Sequence, residues 1–317
     1  MLRKHAQNRG RVLGIVVTYR PEPESLDGLL KALYPQVDEV IVVDNTPIGE
    51  RGAWDVRRRN EPDPENVRYV FLAENMGIAT ALNVGLQCMI EEGFGYALLS
   101  DQDSTPEPDM VRNLLSVARR LRSAGKRVGS VCPQYVDCNT GILFPFQVMM
   151  PGKCFYSTIP SEQADPWLEI IINISSGSLL TRQAIASVGG MREELFMDHV
   201  DSEWCLRARA KNFKHFGTST AQLSHRLGDG SFPIWVFGWR PFNLYSPQRL
   251  YYRFRNFILL CRLPHVPLRW AIRSAWHWLG VFYAFSIYAP NRLQNIKMML
   301  LGIWHGMLGR SGKYFSR

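Results

Sequence analysis

The chain has 317 residues, 46% of them hydrophobic and 21% charged, with a net charge of +9. That is enough for one large packed domain, or one domain with an appendage, and it excludes wholesale disorder. The six cysteines form no C-x-x-C pair and no dense framework, and the basic, polar stretch Met1–Arg11 has no apolar stretch behind it long enough for a signal peptide. The expectation is therefore a cytosolic protein with reduced thiols and no export signal.

Up to about Phe146, short β-branched runs alternate with amphipathic helical stretches, the pattern of a parallel sheet with crossover helices. Val12–Thr18 (VLGIVVT) reads as a buried first strand, Leu26–Tyr34 as a helix and Val40–Asp44 as a second strand. Loop signals fill Thr46–Asn66, where Pro47, Pro62 and Pro64 interrupt regular structure. Val67–Leu72 follows as a third strand, then a helix over Ile78–Glu92 whose start is marked by Gly77. Tyr96–Ser100 is a fourth strand that ends at Asp101, and Pro106 and Pro108 open a helix running to Ser123. Val128–Cys132 is a fifth strand. Between Gly141 and His225 the pattern is mixed: Ile170–Thr181 reads as extended, Val200–Lys211 as a helix, and Phe213–His225 as one or two short strands.

Composition shifts near residue 230. From Gly230 to Arg317 there are 12 Lys or Arg, no Asp or Glu, and six of the nine tryptophans. The last acidic residue is Asp229. The expected organisation is a catalytic domain over residues 1–240 and a basic, aromatic-rich helical segment over 241–317. Its longest apolar stretch, Ala275–Ala289, is interrupted by His277 and Ser286 and falls short of the ~20 residues a spanning helix needs. A segment of this kind suits the membrane interface, with cations on anionic lipid and indole rings at headgroup depth.

In an open α/β sheet, ligands sit outside the carboxyl ends of the strands. The first strand ends at Thr18, the second at Asp44-Asn45 and the fourth at Asp101-Gln102-Asp103. Asp101 and Asp103 could gather around a hard divalent cation, Mg²⁺ or Mn²⁺, which takes a few carboxylates together with substrate phosphates. Asp44 could accept hydrogen bonds from a uracil or thymine ring, or simply cap a turn. Asn75-Met76-Gly77 precedes a helix whose first amides could face phosphate, or is an ordinary N-cap with a turn glycine.

These residues carry a resemblance. VVTYRP, VVDN, Glu74-Asn75-x-Gly77-x5-Asn83-x-Gly85 and LLSDQDS, then Ser176-Gly177-Ser178, Gly189-Gly190-Met191, Phe196, Asp198-His199-Val200-Asp201, Arg207 and His225, are similar to the inverting glycosyltransferases of family 2, within them most of all to bacterial rhamnosyltransferases. The resemblance covers residues 11–260. It implies a GT-A fold: a Rossmann-like mixed, mainly parallel sheet flanked by helices. It implies a metal held by Asp103 and His225, with Asp101 near the ribose and diphosphate, and Thr18, Asp44, Asn75 and Gly77 at the donor. It places the general base in the Asp198–Asp201 segment. Many relatives have Glu-Asp where this chain has Asp198-His199, so the base is assigned to Asp198, then Asp201, with His199 third.

The reaction so implied is transfer of a sugar from a nucleoside diphosphate donor, dTDP-L-rhamnose by resemblance, to a hydroxyl of a lipid-linked saccharide or glycolipid in cell-surface polysaccharide (O-antigen) synthesis. The enzyme would sit peripherally on the inner face of a bacterial inner membrane. Arg249-Leu-Tyr-Tyr-x-x-Arg255-Asn256 is a candidate for positioning a lipid-linked pyrophosphate. Val266 stands where a processive synthase would carry the glutamine of Q-x-x-R-W, which favours single-sugar addition. A sugar nucleotidyltransferase would need a basic glycine-rich loop after the first strand, where Thr18-Tyr19-Arg20-Pro21 stands instead. A nucleic-acid-binding protein, suggested by the basic aromatic tail, is the non-enzymatic alternative, and nucleic acid is not the expected partner.

Overall fold

The computed structural model describes residues 10–51, 64–138, 141–149, 155–225, 228, 230–235 and 238–314. The interior of the expected Thr46–Asn66 loop, Cys154 and Asp229 lie outside the described residues. The first half runs β1 (Val12–Thr18), α1 (Pro23–Leu33), β2 (Glu39–Asp44), β3 (Val67–Phe71), α2 (Ile78–Glu92), β4 (Tyr96–Asp101), β5 (Ser104–Pro106), α3 (Met110–Ser123) and β6 (Val128–Asp137). The second half runs β7 (Phe146–Val148), β8 (Ser157–Ile159), β9 (Leu168–Ile170), β10 (Leu179–Thr181), α4 (Arg182–Val188), α5 (Val200–Ala210), β11 (Lys214–His225), β12 (Ser231–Trp235), β13 (Trp239–Asn243), α6 (Pro247–Cys261), α7 (Leu268–Ile287) and α8 (Arg292–Met307).

The central sheet has the order β3-β2-β1-β4-β10-β6-β11-β5, with β9 also paired to β11. β1 to β4 are mutually parallel, and β10 enters antiparallel between β4 and β6. β6 and β11 therefore run the same way as β1 to β4, and they are parallel to each other. The sheet is the expected GT-A, Rossmann-like type. Because a strand alternates its side chains between faces, Leu13, Ile15 and Val17 of β1 enter one core cluster while Val12 and Val16 enter the other. The second core is closed by α1 and α3, and the first by α2, α5 and the C-terminal helices. Burial on both faces explains why β1, β2 and β4 read as continuous apolar runs.

Several boundaries differ from the sequence reading. Pro106 does not open a helix: it lies in the edge strand β5, where a missing N–H is tolerated, and α3 starts at Met110 behind a left-handed Asp109. The fifth strand extends to Asp137 and pairs with a single twelve-residue β11, with a register irregularity between Gly217 and Gln222. Ile170–Thr181 is not one extended run: it takes in the end of β9 at Ile170, an irregular stretch with a turn at Ser176–Gly177, and then β10.

The β12–β13 hairpin runs through residue 240, pairing Ser231 with Asn243 and Trp235 with Trp239. The C-terminal helices share the core of the catalytic sheet. Trp270, Trp278 and Phe285 are buried in the same cluster as Leu13 and Ile15, and burial of such side chains stabilises by roughly 1.5–3 kcal/mol each. α8 packs on α6 at backbone distance, since a Cβ at Gly302 would lie 2.5 Å from the Tyr251 carbonyl and one at Gly306 2.8 Å from that of Arg255. Gly302→Val should therefore force the helices apart and destabilise by about 1–3 kcal/mol. A thermal melt coincident with wild type would contradict this packing.

Candidate active site

The register sets three strand ends abreast. Thr18 lies opposite Asp44, and Val17 opposite Asp101, so the carboxyl ends of β1, β2 and β4 share one edge. β11 ends on the same edge at His225. After the Asp101-Gln102-Asp103 turn the chain returns as β5, which pairs antiparallel to β11 with Ser104 opposite His225. Gln102 straps this turn to the end of β1: its amide donates to the Tyr19 carbonyl at 3.2 Å and accepts from the Tyr19 N–H at 2.7 Å. Its role was not foreseen from the motif, because it is defined by a partner 83 residues away.

Asp101, Asp103 and His225 converge, with ligand atoms all within 4.8 Å of one another. His225 Nδ1 is 3.6 Å from Asp103 and Nε2 is 3.9 Å from Asp101. The imidazole is buried, while the two carboxylates keep 32% and 38% of their side-chain surface accessible and can reach a ligand. Among the expected metal residues, Asp103 and His225 are thus brought together, and Asp101 joins them. Burial pushes the Asp101 carboxyl above its ordinary range; His225 opposes that shift, Asp103 adds to it and Arg249 opposes it. Two oxygen ligands and one imidazole, crowded without a lysine among them, are a donor set that suits a divalent cation.

The imidazole is oriented from behind. His225 Nδ1 is 2.8 Å from Ser104 Oγ, which is 2.6 Å from Ser176 Oγ, and Ser176 accepts from the Asp101 N–H at 3.2 Å. With Nδ1–H donating to Ser104, the Nε2 lone pair faces the cluster, the usual second-layer arrangement for a histidine ligand. Ser176 of the Ser176-Gly177-Ser178 run is thereby tied to the cluster.

On the β2 side, Asp44 is fully buried. Its Oδ1 accepts from the Thr18 hydroxyl at 3.0 Å, the Thr46 hydroxyl at 2.7 Å and the Thr46 N–H at 3.1 Å. Its Oδ2 has no hydrogen-bond partner, with Arg51 Nε 3.6 Å away. The carboxylate is thus rigidly held at the end of β2, with one oxygen hydrogen-bonded and the other ion-paired with Arg51. Thr18, itself buried, bears on this edge through Asp44. Asn75 Oδ1 accepts from Asn45 Nδ2 and from the Gly77 N–H, each at 3.0 Å, and the Ile78 N–H donates to the Phe196 carbonyl at 2.8 Å. These two amides at the start of α2 are therefore satisfied within the chain and are not offered to phosphate. Gly77, at φ 88°, must be glycine because a Cβ there would meet the Phe196 carbonyl at 2.6 Å.

That contact joins the donor side to the segment carrying the candidate base. Phe196, Asp198 and His199 all have positive φ, a conformation non-glycine residues hold only when their surroundings impose it. The imposing element is α6. The Asn256 amide nitrogen lies 2.8, 2.6 and 2.9 Å from the carbonyls of Leu195, Met197 and Asp198, so its two N–H groups are shared among three acceptors. Arg255 donates to Leu195, to Gly312 and to the Asn256 side-chain oxygen. Both residues are buried, so this pair does not present itself to a pyrophosphate as the sequence pattern suggested; it clamps the loop.

Arg249 contacts both carboxylate oxygens of Asp198 at 3.3 Å, and Arg253 approaches at 3.9 Å. Asp201 receives the Ser202 N–H at 2.6 Å, and burial, with added repulsion from Asp198 and Asp101, raises its pKa to about 6. His199 lies against Trp278 and Phe257, and burial lowers it to about 4, so it is a poor proton acceptor.

The architecture is that of the GT-A glycosyltransferases. The model of the glycosyl transferase family 2 matches residues 15–185, more than half of the chain, and the chain belongs to that family. It is 29% identical over 301 residues to the dTDP-rhamnosyl transferase RfbF of Shigella flexneri, covering 95% of this chain and 97% of that protein. Among solved structures, a Pyrobaculum calidifontis mannosyltransferase, PcManGT, in complex with GDP-Man and Mn²⁺ superposes with a TM-score of 0.53 at 17% identity, over 95% of this chain and 88% of that one. GalNAc-T7 with UDP, GalNAc and Mn²⁺ gives 0.56 at 9% identity over 88% of this chain, which spans 58% of the length of that structure. These likenesses show the fold.

Two outcomes test the geometry. Ser104→Ala should weaken Mn²⁺ binding roughly 10- to 100-fold, read by metal titration, with the fold intact. Asn256→Ala should release the Asp198 loop and lower kcat by as much as about 100-fold while the donor KM stays near wild type; an unchanged kcat would remove the clamp from the reaction.

Proposed function

We propose that this glycosyltransferase moves L-rhamnose from dTDP-L-rhamnose, with inversion, onto a hydroxyl of a lipid-linked saccharide or glycolipid during cell-surface polysaccharide synthesis. The observation that carries the donor class is the Asp101, Asp103 and His225 cluster on the same sheet edge as the rigidly held Asp44 carboxylate, whose Oδ2 accepts no hydrogen bond among the described residues and lies 3.6 Å from Arg51. A pyrimidine N–H can be read at one end and a diphosphate met at the other. The identity with a dTDP-rhamnosyl transferase supports rhamnose as the sugar and thymine as the base.

Asp198 takes the proton of the acceptor hydroxyl as its oxygen attacks the anomeric carbon. The bond to the diphosphate breaks on the opposite side, its electron pair leaving with the phosphate oxygen, through an oxocarbenium-like state. Asn256 and Arg255 hold the Asp198 backbone, and Arg249 orients the carboxylate. A divalent cation, Mg²⁺ or Mn²⁺, held by Asp101, Asp103 and His225 would neutralise charge on the diphosphate.

A second reading makes Asp201 the base. It is favoured by its raised pKa of about 6, close to the neutrality that general-base work prefers. The two are separable. Asp198→Asn should reduce turnover by roughly 10²- to 10⁴-fold while dTDP-rhamnose with Mn²⁺ still raises the melting temperature; normal turnover would remove Asp198 from the role. If Asp201 acts, it must be ionised, so wild-type activity falls as the pH drops through about 6. That limb should then vanish in Asp201→Asn together with the activity. Failure of dTDP-rhamnose to shift the melting temperature, with another nucleotide sugar doing so, would overturn the donor assignment.

A further inference from the structure

Among the described residues, nothing covers the outer face of α7. Leu268, Ile272, Trp276, Leu279, Tyr283 and Ile287 are all exposed, Trp276 by 68% and Leu279 by 60%. At helical spacing these six fall within an arc of about 100°. The opposite face holds Trp270, Trp278, Val281 and Phe285 in the core. α7 is therefore apolar on both sides, yet no described helix is long and apolar enough to cross a membrane. A soluble surface rarely leaves so long an apolar strip uncovered.

The strip continues onto the β12–β13 hairpin. Tyr283 packs edge-on against Tyr288 at 5.9 Å, and Tyr288 against Trp239 at 6.4 Å. Trp239 is 68% and Trp235 53% exposed. Exposed cations, Arg240, Arg269 and Arg292, accompany these elements, and no acidic residue occurs between Gly230 and Arg317.

We infer that the α7 strip and the Trp235/Trp239 hairpin form one in-plane contact face for an anionic lipid bilayer. The inference deepens the proposed function, whose acceptor is lipid-borne, and rests on it for that link. Charge complementarity selects lipid as the occupant: cations without anions match acidic headgroups, and indole rings lie at headgroup depth. The face is also placed for the reaction. Trp278, on the inner side of α7, packs against His199 at 5.1 Å, next to Asp198. One helix thickness, about 10 Å, separates the bilayer contact from the loop carrying the base, so an acceptor hydroxyl close to the headgroups arrives beside it.

The test uses the full chain and vesicles of phosphatidylglycerol with phosphatidylethanolamine, compared with phosphatidylcholine alone. Wild type should co-sediment with the anionic vesicles, less so as salt rises. The double variant Trp276→Glu, Leu279→Glu should bind at least tenfold more weakly while retaining donor binding and its melting temperature. Independently of any variant, brominated lipid should quench wild-type tryptophan fluorescence in the anionic vesicles. Equal vesicle binding by the variant, no quenching, or a wild type found to be dimeric whose double variant is monomeric would overturn the face as a lipid contact; the last would assign it to a second copy. Vesicle binding that persists while no nucleotide sugar binds would sink the enzymatic reading and leave the face standing.

Discussion

The antiparallel return of β5 onto the end of β11 is the constraint on which the site depends. Asp101 and Asp103 leave the sheet at the end of β4, while His225 closes a strand more than a hundred residues later. Only the pairing of Ser104 opposite His225 brings them to one place. Burial raises the Asp101 carboxyl above its ordinary range, and the neighbouring Asp103 adds repulsion to that shift. A fold holds such an arrangement when the repulsion is relieved by a ligand, and backbone pairing supplies the rigidity that keeps the groups from moving apart.

A second constraint runs through α6. Three positive-φ residues in four positions would not persist in an isolated peptide. Asn256 and Arg255 supply donors to the carbonyls of that loop, and Gly77 lets the start of α2 approach the Phe196 carbonyl from the other side. The start of α2, the Asp198 loop and the C-terminal helices are thus mechanically continuous. The segment after residue 240 completes the first core and holds the loop that carries Asp198.

Much of this was legible in the chain itself. The strands β1, β2 and β4 end where their apolar runs end, and strand-end placement is enough to put Asp44 and Asp101 on one edge. The helix over Ile78–Glu92 was legible as well, because Gly77 marks its start. Less legible were elements whose limits depend on partners. Pro106 reads locally as a helix opener, yet ladder pairing with β11 captures it as an edge strand. Gln102, Ser104, Asn256 and Arg255 were missed, or given another role, because their work consists of contacts across the sheet or between distant helices.

The sequence by itself determined the class of chemistry: carboxylates at strand ends, an ordered series of family motifs, and an acid-free aromatic tail, all of them local patterns set by side-chain type and spacing. Tertiary structure alone decided which groups meet. It gathered Asp101, Asp103 and His225, fixed the Asp44 carboxylate between Thr18, Thr46 and Arg51, and turned Arg255 and Asn256 inward. It also divided the tryptophans, sending Trp270 and Trp278 into the core and leaving Trp276 and Trp239 outside. The physical reason is that helical periodicity says a helix has an apolar face, but only the packing of its neighbours says which face is covered.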